Sequence, residues 1–165
     1  MNTKPNKGFT LVELIVVILL LAIISATAMS RFGGRKVYEL YALQEQASSV
    51  IRQIQLNRMQ SNMDMSVSGA ESLRLVAANN CIGSQSACDN TSETRSDVIA
   101  SDDYSFSSVP PSNYSSPIEF SLLGNPENTA SSGVQITISS NNSSDRSWVC
   151  VNSQGFVYPS NQECP

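Results

Sequence analysis

The chain has 165 residues, 41% of them apolar, with four cysteines, no histidine and a formal net charge of −4. Without His, neither a Ser/His/Asp nor a Cys/His catalytic arrangement can be built. The acidic balance also argues against a general nucleic-acid surface, which needs clustered Lys and Arg for phosphates. The length leaves room for one apolar segment and one head of about 100 residues.

The N-terminal flank is short and basic, with Lys4 and Lys7. Residues 9–29 then carry a single charge, Glu13, and residues 14–24 are apolar throughout. As a helix, residues 9–29 span roughly 31 Å, against a bilayer core of about 30 Å. The basic flank stays on the cytoplasmic side, so the remainder of the chain faces outward. A carboxylate inside such a segment is costly and generally has a partner.

Three readings compete for this segment. A secretory signal peptide would use Ala26-Thr27-Ala28 as its cleavage site, and a plain anchor would simply span. Glu13 serves neither. The run Lys7-Gly8-Phe9-Thr10-Leu11-Val12-Glu13-Leu14 resembles the signal of the type IV pilin and pseudopilin superfamily (the class III prepilin signal) at every position. Its members carry a basic leader ending in Gly, then Phe-Thr-Leu-Val/Ile-Glu, then an apolar run. The resemblance implies that a membrane prepilin peptidase cuts between Gly8 and Phe9 and N-methylates Phe9. It also implies that the apolar segment stays in the mature protein, and that Glu13 pairs with the terminal amine of a neighbouring subunit. A buried carboxylate is tolerable when paired, so Glu13 becomes a register device for assembly. Lys4 and Lys7 lie in the leader, which leaves −6 on residues 9–165.

Arg31 and Arg35-Lys36 mark the outer membrane boundary. Many pilins have a Pro where this chain has Ser30. Gly33-Gly34, each costing a helix about 1 kcal/mol relative to Ala, is either a substitute hinge or a soft joint. Residues 37–62 read as an amphipathic helix, with Leu40, Leu43, Ala47, Val50 or Ile51, and Ile54 on one stripe. Glu39, Glu45, Arg52, Gln53, Asn57 and Arg58 fall mostly elsewhere.

After Met65 the composition turns to Ser and Asn with short apolar runs. Residues 68–78 read as a strand around Leu73, Leu75 and Val76, with weaker strands at Val98-Ile99 and residues 104–106. Pro110-Pro111, Pro117 and Pro126 break the middle into loops. Residues 118–122 and 134–138 alternate as half-buried strands do. Residues 147–151 and 155–158, joined by Asn152-Ser153-Gln154-Gly155, read as a hairpin. The expected fold class is α+β: a long N-terminal helix packed on an antiparallel sheet head. The expected organisation is a leader at 1–8, a transmembrane and filament-core helix at 9–30, an amphipathic helix at 31–63 and a disulfide-bearing head at 64–165.

Cys81, Cys88, Cys150 and Cys164 all lie in the part expected to face an oxidising compartment, where an even count reads as disulfides. Three pairings are open. Cys81–Cys88 with Cys150–Cys164 is favoured because each closes a short loop, and C-terminal disulfides are common in the family that the signal resembles. A metal site is disfavoured by the spacings and by the lack of His. No cofactor is expected. Asp89, Glu93, Asp97 and Asp102-Asp103 can be read as Ca²⁺ ligands or an acid/base pair, but a solvated Ser-rich loop is the better reading. Asn90, Asn113 and Asn142 stand in glycosylation-type triplets, as chance allows in so Asn- and Ser-rich a chain.

Residues 41–46 and 51–56 are similar to minor pilins, especially the minor prepilins of mannose-sensitive haemagglutinin pili. The resemblance therefore implies a non-enzymatic minor pilin that primes or joins a pilus fibre involved in attachment. It would sit in the bacterial inner membrane with its head in the periplasm, then in the surface pilus. Its implied partners are other major and minor pilins, the prepilin peptidase, the inner-membrane assembly platform and membrane lipid. Two alternatives remain: a minor pseudopilin of a type II secretion system, and a tip pilin that binds DNA or glycan. Beyond Arg58 the head has only Arg74, Arg95 and Arg146 and no Lys, which is thin for nucleic acid.

Overall fold

The structure is a computed structural model that describes residues 9–32, 35–90 and 95–165. The expectations placed on Gly8, Gly33-Gly34 and Glu93 lie outside the described residues. The chain divides into two compact units, residues 1–38 and 39–165.

The first unit is built on helix α1, Leu11–Phe32. Its apolar side chains are exposed all round, including Leu19, Leu20 and Leu21. The stretch Leu11–Ala28 is long and apolar enough to cross a membrane, and none of it is buried. Ser25 Oγ donates to Leu21 O at 2.7 Å and Thr27 Oγ1 donates to Ile24 O at 2.9 Å. Both hydroxyls are thus satisfied by their own helix, as a lipid-facing segment requires.

Helix α2, Arg35–Gln60, supplies the long element of the second unit. Leu40, Ala47, Val50, Ile51 and Ile54 are buried on it and Leu43 is half-buried, which is the stripe read from the sequence. Arg58 departs from that reading. It is only 9% exposed, because its guanidinium donates to Phe120 O at 3.0 Å and Met63 O at 3.1 Å.

Two antiparallel sheets complete the head. One has the order β1-β2-β3, with β1 at Leu75–Ala78, β2 at Cys81–Ser84 and β3 at Val98–Ala100. The other has the order β4-β5-β6-β7, with β4 at Tyr104–Val109, β5 at Gly133–Ser140, β6 at Arg146–Asn152 and β7 at Val157–Ser160. A short helix α3, Gln85–Asp89, follows β2. Phe106, Phe120, Ile136, Ile138, Val149 and Val151 bury their side chains with the α2 stripe in one core. The architecture is α+β of the type IV pilin kind: an apolar helix, an amphipathic helix, then antiparallel sheet.

Several expectations change. Only Leu75–Ala78 of residues 68–78 is strand, because Gly69 sits at φ +99° and Ala70–Leu73 forms a 3-10 turn. Residues 118–122 alternate in burial, with Ile118 and Phe120 inside, yet make only isolated bridges, Ile118 to Leu75 and Phe120 to Pro126. Pro117 and Pro126 lack the N–H groups that a longer ladder needs. Strand β7 begins at Val157 because Gly155, at φ +79°, belongs to the turn. Asn152 Oδ1 closes that turn by accepting from the N–H of Gln154 and Phe156. The hairpin β1-β2 and helix α3 were not anticipated. Asn79, at φ 57°, turns the chain there, and Gly83 is required because a Cβ would lie 2.6 Å from Asp97 O, just before β3.

Polar groups on α2 fix the helix to the sheet. Gln44 Nε2 donates to Trp148 O at 2.6 Å and Ser160 O at 2.8 Å. Arg52 donates to Val157 O at 2.8 Å. Gln55 Nε2 joins two loops, donating to Gly124 O at 2.8 Å and Gly155 O at 2.9 Å. These donors satisfy carbonyls of strands β6 and β7 and of the loops beside them.

Candidate processing and assembly site

Thr10 and Glu13 open α1 together. Thr10 Oγ1 accepts from the N–H of Glu13 at 3.3 Å, and Thr10 O accepts from the N–H of Leu14 at 3.3 Å. Thr10 is therefore the N-cap and Glu13 the third helical residue, the positions of a capping box. The carboxylate also stands at the positive end of the helix dipole. The Thr-x-x-Glu spacing was present in the sequence and points to this local role, which the sequence reading missed.

A carboxylate at a helix start gains about 0.3–1 kcal/mol from the helix dipole. Phe9, immediately before the cap, is 83% exposed. Ala26-Thr27-Ala28 lies within α1, which runs on to Phe32.

In the head, Cys81 is bonded to Cys88 and Cys150 to Cys164. The first bond closes α3 onto the start of β2. The second ties the C-terminal tail to β6, where Cys164 N–H also donates to Gln135 Oε1 at 2.7 Å. Among the described residues, no group of His, Cys, Asp and Glu is placed to hold a metal ion.

Asp97, Asp102 and Asp103 are held by local bonds. Asp97 is 7% exposed. It accepts from Ser84 Oγ at 2.6 Å and from both Nε and Nη2 of Arg95. The Arg95 guanidinium holds the Asp97 carboxyl below the usual carboxylate range, against the opposing effect of burial. Asp102 accepts from Asn80 and Asp103 from Asn142. Asn113 Oδ1 accepts from the N–H groups of Ser115 and Ser116.

The head arginines are largely engaged as well. Arg74 pairs with Glu119 at 3.0 Å and also donates to Met65 O. Arg95 pairs with Asp97, and Arg58 is taken up by carbonyls. Arg146 is exposed. Trp148 is half-buried, and Tyr114 donates its hydroxyl to Cys88 O at 3.1 Å.

The family profile of the prokaryotic N-terminal methylation motif matches residues 3–29. No curated protein and no solved structure matches the chain.

Proposed function

For a chain that carries the class III prepilin signal of the type IV pilin and pseudopilin superfamily, a structural superfamily, we propose the role of a minor pilin. The prepilin peptidase cuts between Gly8 and Phe9 and methylates the new amine. Helix α1 then anchors the chain in the inner membrane with its head in the periplasm. In the fibre α1 exchanges lipid for the helices of neighbouring major and minor pilins, delivered through the inner-membrane assembly platform. Glu13 pairs with the terminal amine of the subunit beside it. The reading extends to a minor pilin like those of mannose-sensitive haemagglutinin pili, with a part in attachment. The single observation that carries this reading is an apolar helical stretch, Leu11–Ala28, none of it buried, with one carboxylate in its first turn. Two disulfides in the head favour the pilus over the secretion fibre, whose pseudopilins often lack them.

Replacing the carboxylate tests it. Glu13→Ala leaves processing at Phe9 intact and removes the chain from sheared fibres. A Glu13→Ala chain that enters fibres as the wild type does would contradict the pairing.

A further inference from the structure

A groove opens between the N-terminal half of α2 and the strands β3 and β4. Its helix wall includes Glu39 and Leu43, and its other wall includes Ile99 and Tyr104. The floor is apolar, with Leu43, Ile99 and Tyr104 packed on the core. The rim is acidic. Tyr104 donates its hydroxyl to Glu39 Oε2 at 3.5 Å. Burial, then Glu39, Asp103 and Asp145, push the Tyr104 hydroxyl up from its ordinary value of 10.0; Glu39 lines the groove, and Asp103 precedes Tyr104 in the chain.

Among the described residues, no Lys or Arg lines it. Ser105 and Arg146 both pair with Ser139, which places Arg146 on the opposite face of the sheet from Tyr104. The other head arginines hold Glu119, Asp97 and backbone carbonyls. Residues 39–165 carry thirteen acids against five Arg, while residues 31–36 carry Arg31, Arg35 and Lys36 with no acid. Long basic side chains lay aliphatic stems on apolar surface and keep the charge at its edge, which matches an apolar floor with an acidic rim.

We propose that this groove receives the basic segment at residues 31–36 of a second copy of the chain, so that adjacent subunits are joined by charge pairing just outside the membrane. The proposal rests on the pilin reading, since side-by-side subunits require a shared membrane or fibre. Charge complementarity of this kind sets register and partner choice more than affinity.

Thiol cross-linking between two differently tagged full-length chains tests it. Because Cys81, Cys88, Cys150 and Cys164 are all bonded, a new cysteine is the reactive one. One chain carries Ala42→Cys in the groove and the other Phe32→Cys, both in the same membranes. A short bismaleimide yields a dimer bearing both tags. Glu39→Lys with Asp103→Lys in the groove chain lowers its yield at least fivefold. Arg35→Glu with Lys36→Glu in the other chain restores it, which shows that the charge-reversed head still folds. Absence of the mixed dimer overturns the proposal, and so does a dimer indifferent to charge reversal. In either case a chain still cut and methylated at Phe9 leaves the pilin reading standing.

Discussion

Helices α1 and α2 follow one another in sequence and solve opposite problems. Residues 11–28 of helix α1 are apolar on every side and none of them is buried. Such a surface suits lipid or other helices, and the one charge within those residues, Glu13, stands in the first turn. Helix α2 finds its partner inside the chain. Its apolar stripe closes the head core, and Gln44, Arg52, Gln55 and Arg58 reach carbonyls of the sheet and loops. A helix written for an external partner carries its polarity at its end, and a helix written for an internal one carries it along the buried side.

The largest separation between the two regions comes from the core. Phe120→Ala removes a fully buried ring and should destabilise the head by about 3–5 kcal/mol. Leu19→Ala, in exposed α1, should leave head stability within about 0.5 kcal/mol. Urea unfolding of the full chain in detergent reads both, and equal effects would break the comparison. Next in size is Gln55→Ala, which strips the donor shared by Gly124 O and Gly155 O. About 1–3 kcal/mol should be lost, with faster amide exchange in the two loops it joins.

The smallest effect is a pH dependence. Asp97 titrates below its ordinary value of 3.8 in the folded head. Its contribution is therefore complete above that value and lost as pH falls through its lower folded pKa. Asp97→Asn should reduce stability by about 1–2 kcal/mol at neutral pH and flatten the acid limb of the stability curve. An unchanged acid limb would show that the Arg95 pair adds nothing.

The sequence was most legible where one physical pattern dominates. The run of residues 9–29 left only a spanning or secreted helix open, and Glu13 narrowed it further. The α2 stripe was readable because its spacings of three and four leave one apolar side. Strand β5 was readable because alternation held over several residues, and β6 because a β-rich run meets a turn at Asn152-Ser153-Gln154-Gly155. The rest depended on partners distant in sequence. Arg58 looked solvent-facing because nothing local says that Phe120 O lies above it. Residues 118–122 alternate like a strand, yet two prolines deny them a ladder. Strand β2 holds one large aliphatic residue, and its place comes from a tight approach at Gly83. Thr10 shows the reverse failure, since its capping role was visible in the spacing and was overshadowed by the charge beside it.

The central claim is that residues 9–29 are a retained assembly helix rather than a removed signal. The intact mass and first residue of the mature protein from membranes test it most directly. The account predicts a chain that begins at N-methyl-Phe9 and still contains Glu13. A mature chain that begins at Met29 would contradict it.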